Sequence, residues 1–204
     1  NDEMPYKETV KADHQMSFYA ATKKSTENMA HSYSHLFDLP ITMFRFFTVY
    51  GPWGRPDMAP NKFAKAIFEG ESIDVYNAGE MWRDFTFIDD LVEAMRRLIS
   101  KQPTRGECTN DNFIDDDNQS PVAAFRVVNI GNSKPIKLTK FIQALENATG
   151  RTAEKNLLPM QPGEVVSTWA DNALLHALTG FVPETDISFG VANFIAWYRE
   201  YYQI

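Results

Sequence analysis

Cysteine is nearly absent from this 204-residue chain: Cys108 stands alone, which excludes an internal disulfide and fits a reducing compartment. Basic charge is also in short supply. Lys and Arg number 20 against 27 Asp and Glu, a net charge of −7, which argues against nucleic acid and gives no reason to expect an anionic membrane partner. No apolar run is long enough to span a bilayer and no signal-peptide pattern is present, so a soluble cytoplasmic protein is the expectation. The 10 glycines never form a G-x-G-x-x-G run, the loop that lets a backbone approach a dinucleotide pyrophosphate. His14, His31, His35 and His176 have no metal-ligand spacing to carboxylate or cysteine partners, and no metal is expected.

Apolar residues, by contrast, are plentiful. At 44% hydrophobic and 13% aromatic the chain can bury a substantial core, as one large or two small globular units. Residues 1–15 are polar and aperiodic and read as a loop, followed by a helix over 17–37 with Ser17 as its N-cap. Pro40 disfavours a helical residue before it and ends that helix. The β-branched and apolar stretch 41–49, broken by Arg45, predicts a strand buried on both faces. The Gly- and Pro-rich loop 50–56 then falls at its carboxyl edge, where open α/β sheets bind ligands. A helix over 61–69 closed by Gly70, a strand over 73–76, a turn at Asn77-Ala78-Gly79 and an alternating strand over 83–87 follow. Asp89 is the expected cap of the next helix, which runs to Ile99. Residues 101–124, with Asn110, Asn112, Asp115-Asp116-Asp117 and Asn118, read as a mobile surface loop of solvated carboxylates. A buried strand over 125–130, a helix over 139–149 closed by Gly150, and a polar turn at 161–164 come next. A short helix capped by Asp171 and ending at Gly180, then a last helix begun by Ser188, complete an α/β pattern.

Within the first helix, Tyr19 and Lys23 stand four residues apart and project from one face. A phenol is too weak an acid to serve as a base near neutral pH, but a neighbouring ammonium favours the phenolate. That pair can run proton transfer. Alone it is weak, because Tyr and Lys at this spacing are common on solvated helices.

Five segments in order carry a more specific signal. Tyr19-Ala20-Ala21-Thr22-Lys23 is followed by Arg45-Phe46-Phe47-Thr48-Val49-Tyr50-Gly51-Pro52-Trp53-Gly54-Arg55-Pro56-Asp57-Met58, then Asp74-Val75-Tyr76-Asn77, then Arg83-Asp84-Phe85-Thr86-Phe87-Ile88-Asp89-Asp90, then Met160-Gln161-Pro162-Gly163-Glu164. The series resembles the extended short-chain dehydrogenase/reductases, and within them the UDP-glucuronate 4-epimerases. The resemblance implies the C-terminal part of a Rossmann-like doubly wound sheet, with the N-terminal NAD-binding half absent, plus a small α/β substrate-binding subdomain. Residues 1–60 would hold the catalytic helix and strand, 61–204 mainly the UDP-sugar subdomain, with 84–130 partly returning to the sheet. The family's glycine-rich loop would lie before Asn1, and the fragment alone is expected to be inactive.

The same resemblance assigns roles. Tyr19 would be the catalytic acid and base, Lys23 would lower its pKa and bind the nicotinamide ribose, and Phe46 would join them at the NAD cofactor. Arg83 would grip the UDP diphosphate, Glu164 the uridine ribose, and Phe63, Tyr76 and Asn77 the uracil. Gln161 stands where galactose-type relatives carry a second phosphate-binding arginine. Thr48 matches the glucuronate branch, whose threonine can hydrogen-bond a sugar carboxylate, and Arg55 could close over the ligand. Competing readings remain: Thr48 as a packing residue, Arg83 as an exposed strand residue paired with Asp84, and Lys23 as a surface lysine. Met16, Phe18, Met29, Tyr33 and Phe37 would place a homodimer interface on the first helix. A UDP-glucuronate decarboxylase, a nucleotide-sugar 4,6-dehydratase and a non-catalytic UDP-sugar-binding fragment share many of these features.

Overall fold

The computed structural model describes residues 3–106, 117–161 and 164–204. Among them, helices α1 (Phe18–Phe37), α2 (Ala59–Glu69), α3 (Ile88–Leu98), α4 (Leu138–Thr149), α5 (Ala173–Thr179) and α6 (Ile187–Tyr202) alternate with strands. The strands are β1 (Ile41–Phe46), β2 (Thr48–Tyr50), β3 (Ser72–Tyr76), β4 (Trp82–Arg83), β5 (Phe85–Phe87), β6 (Phe125–Ile130), β7 (Ile136–Lys137), β8 (Glu154–Leu158) and β9 (Ser167–Thr168). Pairing is mostly parallel: β1 with β6, β2 with β5, β3 with β8, and β4 with β9, while β4 and β7 run antiparallel. This is a Rossmann-like α/β arrangement.

Local chemistry explains the helix ends. The Ser17 hydroxyl accepts the Ala20 N–H at 3.1 Å, and Asp38 stops α1 in the left-handed conformation two residues before Pro40. Gly70, Gly150 and Gly180 close α2, α4 and α5 as left-handed C-caps. Two expected helix starts are displaced. The last helix starts at Ile187, one residue before Ser188, with Asp186 as its cap, and α3 starts at Ile88 behind Phe87, with the expected cap Asp89 already in its first turn. Asp171 lies one residue before the α5 cap Asn172, although its carboxylate does accept the Ala173 N–H at 2.8 Å.

Long-range bonds overrule two strand expectations. The stretch 41–49 is not one doubly buried strand: it breaks at Phe47, so that β1 pairs with β6 and β2 with β5, and β1 stays half-buried. The stretch 83–87 breaks at Asp84, whose fully buried carboxylate accepts the N–H groups of Asn132 (2.6 Å), Ser133 (3.0 Å) and Ala170 (3.0 Å). Those three donors belong to two separate loops. The carboxylate fixes both of them, and a side chain at Gly131 would collide with it, since a Cβ there would lie 2.5 Å from Asp84 Oδ2.

The loop 101–124 also departs from expectation. Asp115, Asp116, Asn110 and Asn112 lie outside the described residues, as does Cys108. Asp117, expected in solvent, is buried in a two-bond ion pair with Arg126 (2.9 and 2.8 Å), and the Asn118 amide pairs with both backbone groups of Val127. Strand β8, polar over Glu154–Asn156 and ending in Leu157 and Leu158, is mostly exposed and pairs along the whole of β3. Residues near the N-terminus are likewise bonded: Tyr6 exchanges backbone bonds with Trp169 and Asp171, and the Glu8 carboxylate accepts the Asn129 N–H at 2.7 Å.

The largest core joins α2, β3, β5, α4 and α6 through Phe63, Ile73, Val75, Phe85, Phe141, Leu145, Phe194 and Tyr198. Phe85 stacks on Phe141 with ring centroids 4.2 Å apart. A second cluster packs α3 and α5 on β6. Among the described residues no helix is long and apolar enough to cross a membrane, and no cluster of His, Cys, Asp and Glu could hold a metal ion.

Candidate active site

Tyr19 and Lys23 sit on the first two turns of α1, both exposed, with the Lys23 ammonium 5.3 Å from the centroid of the Tyr19 ring. The turn between them is braced from within, because the Thr22 and Thr26 hydroxyls donate to the Tyr19 and Lys23 carbonyls at 2.7 Å each. Polar bonds add to the packing of Ala30 and His31 near Phe125 in seating α1. Arg45 on β1 donates to both Glu27 oxygens at 2.7 and 2.9 Å, and His31 bonds the Ser120 hydroxyl at 2.8 Å. Burial pushes the Glu27 carboxyl upward, but Arg45, with Lys24 behind it, outweighs burial and holds it below its ordinary value. Phe46 ends β1 with its ring half exposed and stacked on Phe44.

Past β2 the loop carries Arg55, which is exposed and ion-paired to Asp57. Trp53, in the left-handed region at φ 62, packs its ring on Trp197 and Tyr201 of α6. The loop is thereby tied to the large core on one side while Arg55 stays in solvent on the other.

A cavity of about 540 Å³ opens beside this loop, between α2, β3, β4 and residue 164. Five of the expected substrate residues line it: Thr48, Phe63, Tyr76, Arg83 and Glu164. Apolar surface comes from Phe63, Ile73, Met81, Phe85 and Leu138, and charge from Lys62, Asp74, Arg83 and Glu164. Arg83 donates to Glu164 at 2.9 Å and to the Trp82 and Val166 carbonyls at 3.0 and 3.2 Å. Its partner is therefore Glu164, not Asp84, which is consumed by backbone N–H groups. An apolar-walled pocket with a few fixed polar groups suits a small polar ligand with a flat ring.

Three expected residues do not line the cavity. Asn77 adopts φ 50 and spends its amide on the Glu80 carbonyl at 2.9 Å, closing its own turn. Gln161 is exposed, and Arg55 lies in the loop above. Conversely Lys62, Asp74 and Met81 line the cavity without having been singled out in the sequence. The first was legible, since Ala59, Lys62, Phe63 and Ala66 follow a helical i, i+3, i+4, i+7 stripe.

Fold and site together define a Rossmann-like α/β protein with a Tyr-x-x-x-Lys pair and an adjoining pocket. Residues 1–110 match the family described as "NAD dependent epimerase/dehydratase family". The chain belongs to that family. It is 51% identical over 203 residues to a probable UDP-glucuronate 4-epimerase of Rhizobium meliloti, covering all of this chain and 59% of that protein. It is 50% identical over 203 residues to Protein CapI of Staphylococcus aureus, covering 60% of it. Its structure is similar to that of UDP-glucuronic acid 4-epimerase from Bacillus cereus in complex with UDP-glucuronic acid and NAD, with a TM-score of 0.76, 30% identity, and coverage of 93% of this chain and 55% of that one. The chain thus spans between half and two thirds of the length of these relatives.

Proposed function

We propose that the intact protein is a nucleotide-sugar epimerase that inverts carbon 4 of UDP-glucuronate to give UDP-galacturonate through a 4-keto intermediate. The observation that carries this reading is the convergence of Thr48, Phe63, Tyr76, Arg83 and Glu164 on one cavity beside the loop that follows β2. The similarity to the Rhizobium meliloti and Bacillus cereus epimerases supports the choice of sugar. Residues 1–60 serve the reaction centre and 61–204 mainly hold the nucleotide sugar, with 84–130 rejoining the sheet.

The residues present fit the nicotinamide-ribose side of NAD: an exposed ammonium and phenol on α1, and an exposed Phe46 ring at the carboxyl end of β1. NAD, when bound, supplies hydride acceptance at carbon 4 and its return to the opposite face. Tyr19 takes the 4-hydroxyl proton as base and gives it back as acid. Lys23 donates to the ribose and provides counter-charge for the phenolate that forms. Arg83 binds the diphosphate, Phe63 and Tyr76 flank the uracil, and Thr48 donates to the sugar carboxylate, with Arg55 closing from above. Asn77 and Gln161 would contribute only after rearrangement, since they stand off the cavity wall.

The deciding experiment is product analysis. Intact protein incubated with UDP-glucuronate should yield UDP-galacturonate at constant total uronic acid. Release of carbon dioxide with a UDP-pentose would mean a decarboxylase instead, and no conversion with retained UDP binding would mean a binding protein. Assembly is part of the same reading: Met16, Phe18, Met29, Tyr33 and Phe37 are all exposed on and beside α1, and we assign this face to a homodimer. Sedimentation at micromolar concentration should give a dimer, and a strict monomer would refute that assignment.

A further inference from the structure

A second cavity, of about 680 Å³, lies between α2, the turn after α4 and the end of α6. Its volume is that of sites for small organic ligands. The two cavities draw on different stripes of α2: Ala59, Lys62, Phe63 and Ala66 line the first, whereas Asn61, Lys65, Phe68 and Glu69, spaced i, i+4, i+7 and i+8, line the second. They share no lining residue.

Charge on the second wall is unbalanced. Lys65, Arg151 and Arg199 line it with Glu69 as their acidic counterpart, which leaves two positive charges over on a chain whose net charge is −7. Lys65 lies 3.8 Å from Glu69, but Arg151 and Arg199 make no ion pair among the described residues. Each guanidinium is oriented instead by one backbone bond: Arg151 donates to the Phe68 carbonyl and Arg199 to the Thr149 carbonyl at 2.9 Å. Both also sit against the Phe68 ring, 5.6 and 5.4 Å from its centroid. Two forks are thus gathered on one ring with most of their N–H groups unused.

Tyr198 adds an independent signal. It is only 5% exposed and its ring stacks on Phe68, yet its hydroxyl, in a residue that lines the cavity, makes no hydrogen bond among the described residues. Burial pushes its pKa up, so the group stays protonated and able to donate.

We propose that this cavity is a second anion site, which takes a small phosphate monoester with its phosphoryl group between Arg151 and Arg199, accepting from the Tyr198 hydroxyl, and its carbon skeleton against Tyr202 and Ile204. A monoester near neutral pH carries close to two negative charges and so matches the two cations left over, and arginine forks suit its oxygens. Pro56 also lines the cavity, and Asn61 donates to the Arg55 carbonyl at 3.1 Å, so the occupant lies against the loop that follows β2. None of this depends on what the first cavity binds.

Calorimetric titration of the intact protein with phenyl phosphate, and with phenol as its uncharged counterpart, tests the site. Phenyl phosphate should bind and phenol should not. Arg199→Gln should weaken phenyl phosphate by about tenfold or more and Arg199→Lys by less, as expected for loss of one charge-assisted contact. Tyr198→Phe, which keeps the ring and its packing, should weaken it by a few-fold, and Arg83→Gln, in the first cavity, should leave it as in the wild type. Absence of binding at millimolar phenyl phosphate overturns the proposal, as does affinity within twofold of wild type in both Arg199→Gln and Tyr198→Phe. Loss of binding in Arg83→Gln alone would place the probe in the first cavity and overturns it equally.

Discussion

Around Phe141 and Phe194 the side chains are wholly enclosed, whereas α1, 20 residues long, buries only Ser34. The first region backs the proposed nucleotide-sugar pocket, whose lining takes Phe63, Ile73 and Phe85 from the same core; the second carries Tyr19 and Lys23. The pocket is positioned by close packing, which tolerates little displacement, while the helix carrying Tyr19 and Lys23 is held largely by directional polar bonds from Arg45 to Glu27, between His31 and Ser120, and between His35 and the Val122 carbonyl. Such bonds fix rotation but bury little apolar surface. Mutations in the two regions should accordingly fail in different ways, one through stability and the other through chemistry.

The largest effect should come from Tyr19→Phe, which removes the proton-transfer group and keeps the ring. Turnover of the intact protein should fall by about 10² to 10⁴ with UDP-sugar affinity little changed. Steady-state kinetics beside a binding titration checks this, and near-wild-type turnover would exclude Tyr19 as the acid and base.

In the core behind the pocket, Phe141→Ala removes a ring that is fully buried and stacked on Phe85, at a cost of about 3–5 kcal/mol in chemical denaturation. Phe18→Ala removes a ring that is 87% exposed and should shift the unfolding of dissociated chains by no more than about 0.5 kcal/mol. Equal losses at the two positions would erase the contrast between the regions.

A smaller effect discriminates between substrates. Thr48→Val keeps the shape of the cavity wall but drops a hydroxyl, and should cost about 1.5–3 kcal/mol in kcat/KM for the uronic acid. UDP-glucose, neutral at that position, should lose much less. If both sugars suffer alike, Thr48 is a packing residue.

An effect smaller than that of Thr48→Val is the one on α1 docking. The Glu27 carboxyl is held below its ordinary value of 4.5, so its pairing stabilises the fold above that pH and the contribution disappears as pH falls through the folded-state value. Since the pair retains some solvent contact, with Arg45 at 27% side-chain exposure, the stake is within about 1 kcal/mol. Glu27→Gln should flatten the stability profile below pH 4.5 and leave it parallel above; an unchanged acid limb would show that Glu27 adds nothing.

Features set by neighbours in the chain were legible in the sequence. The Ser17 cap, the left-handed glycines after α2, α4 and α5, and strand 125–130 depend on residues within a few positions of one another. The breaks at Phe47 and Asp84 depend on partners far along the chain, and β8 has no apolar alternation because only its edge, not its faces, is engaged. The same division holds in the site. Tyr19 and Lys23 could be paired from their spacing, but Asn77 looked free to meet a ligand until its amide was found closing a turn. Arg83 looked like a partner for the carboxylate next to it, although successive strand residues face opposite ways.

Asp84 is covalently next to Arg83, and that adjacency has a consequence for precision. Because three backbone N–H groups from two loops hold the Asp84 carboxylate, the peptide link from which Arg83 departs is clamped before any ligand arrives. The guanidinium therefore starts from a fixed origin, like a pointer mounted on a bench rather than held by hand. Its aim will drift only when the loops around Asn132 and Ala170 themselves shift, so that changes remote from the pocket can blur anion recognition without touching a single lining residue.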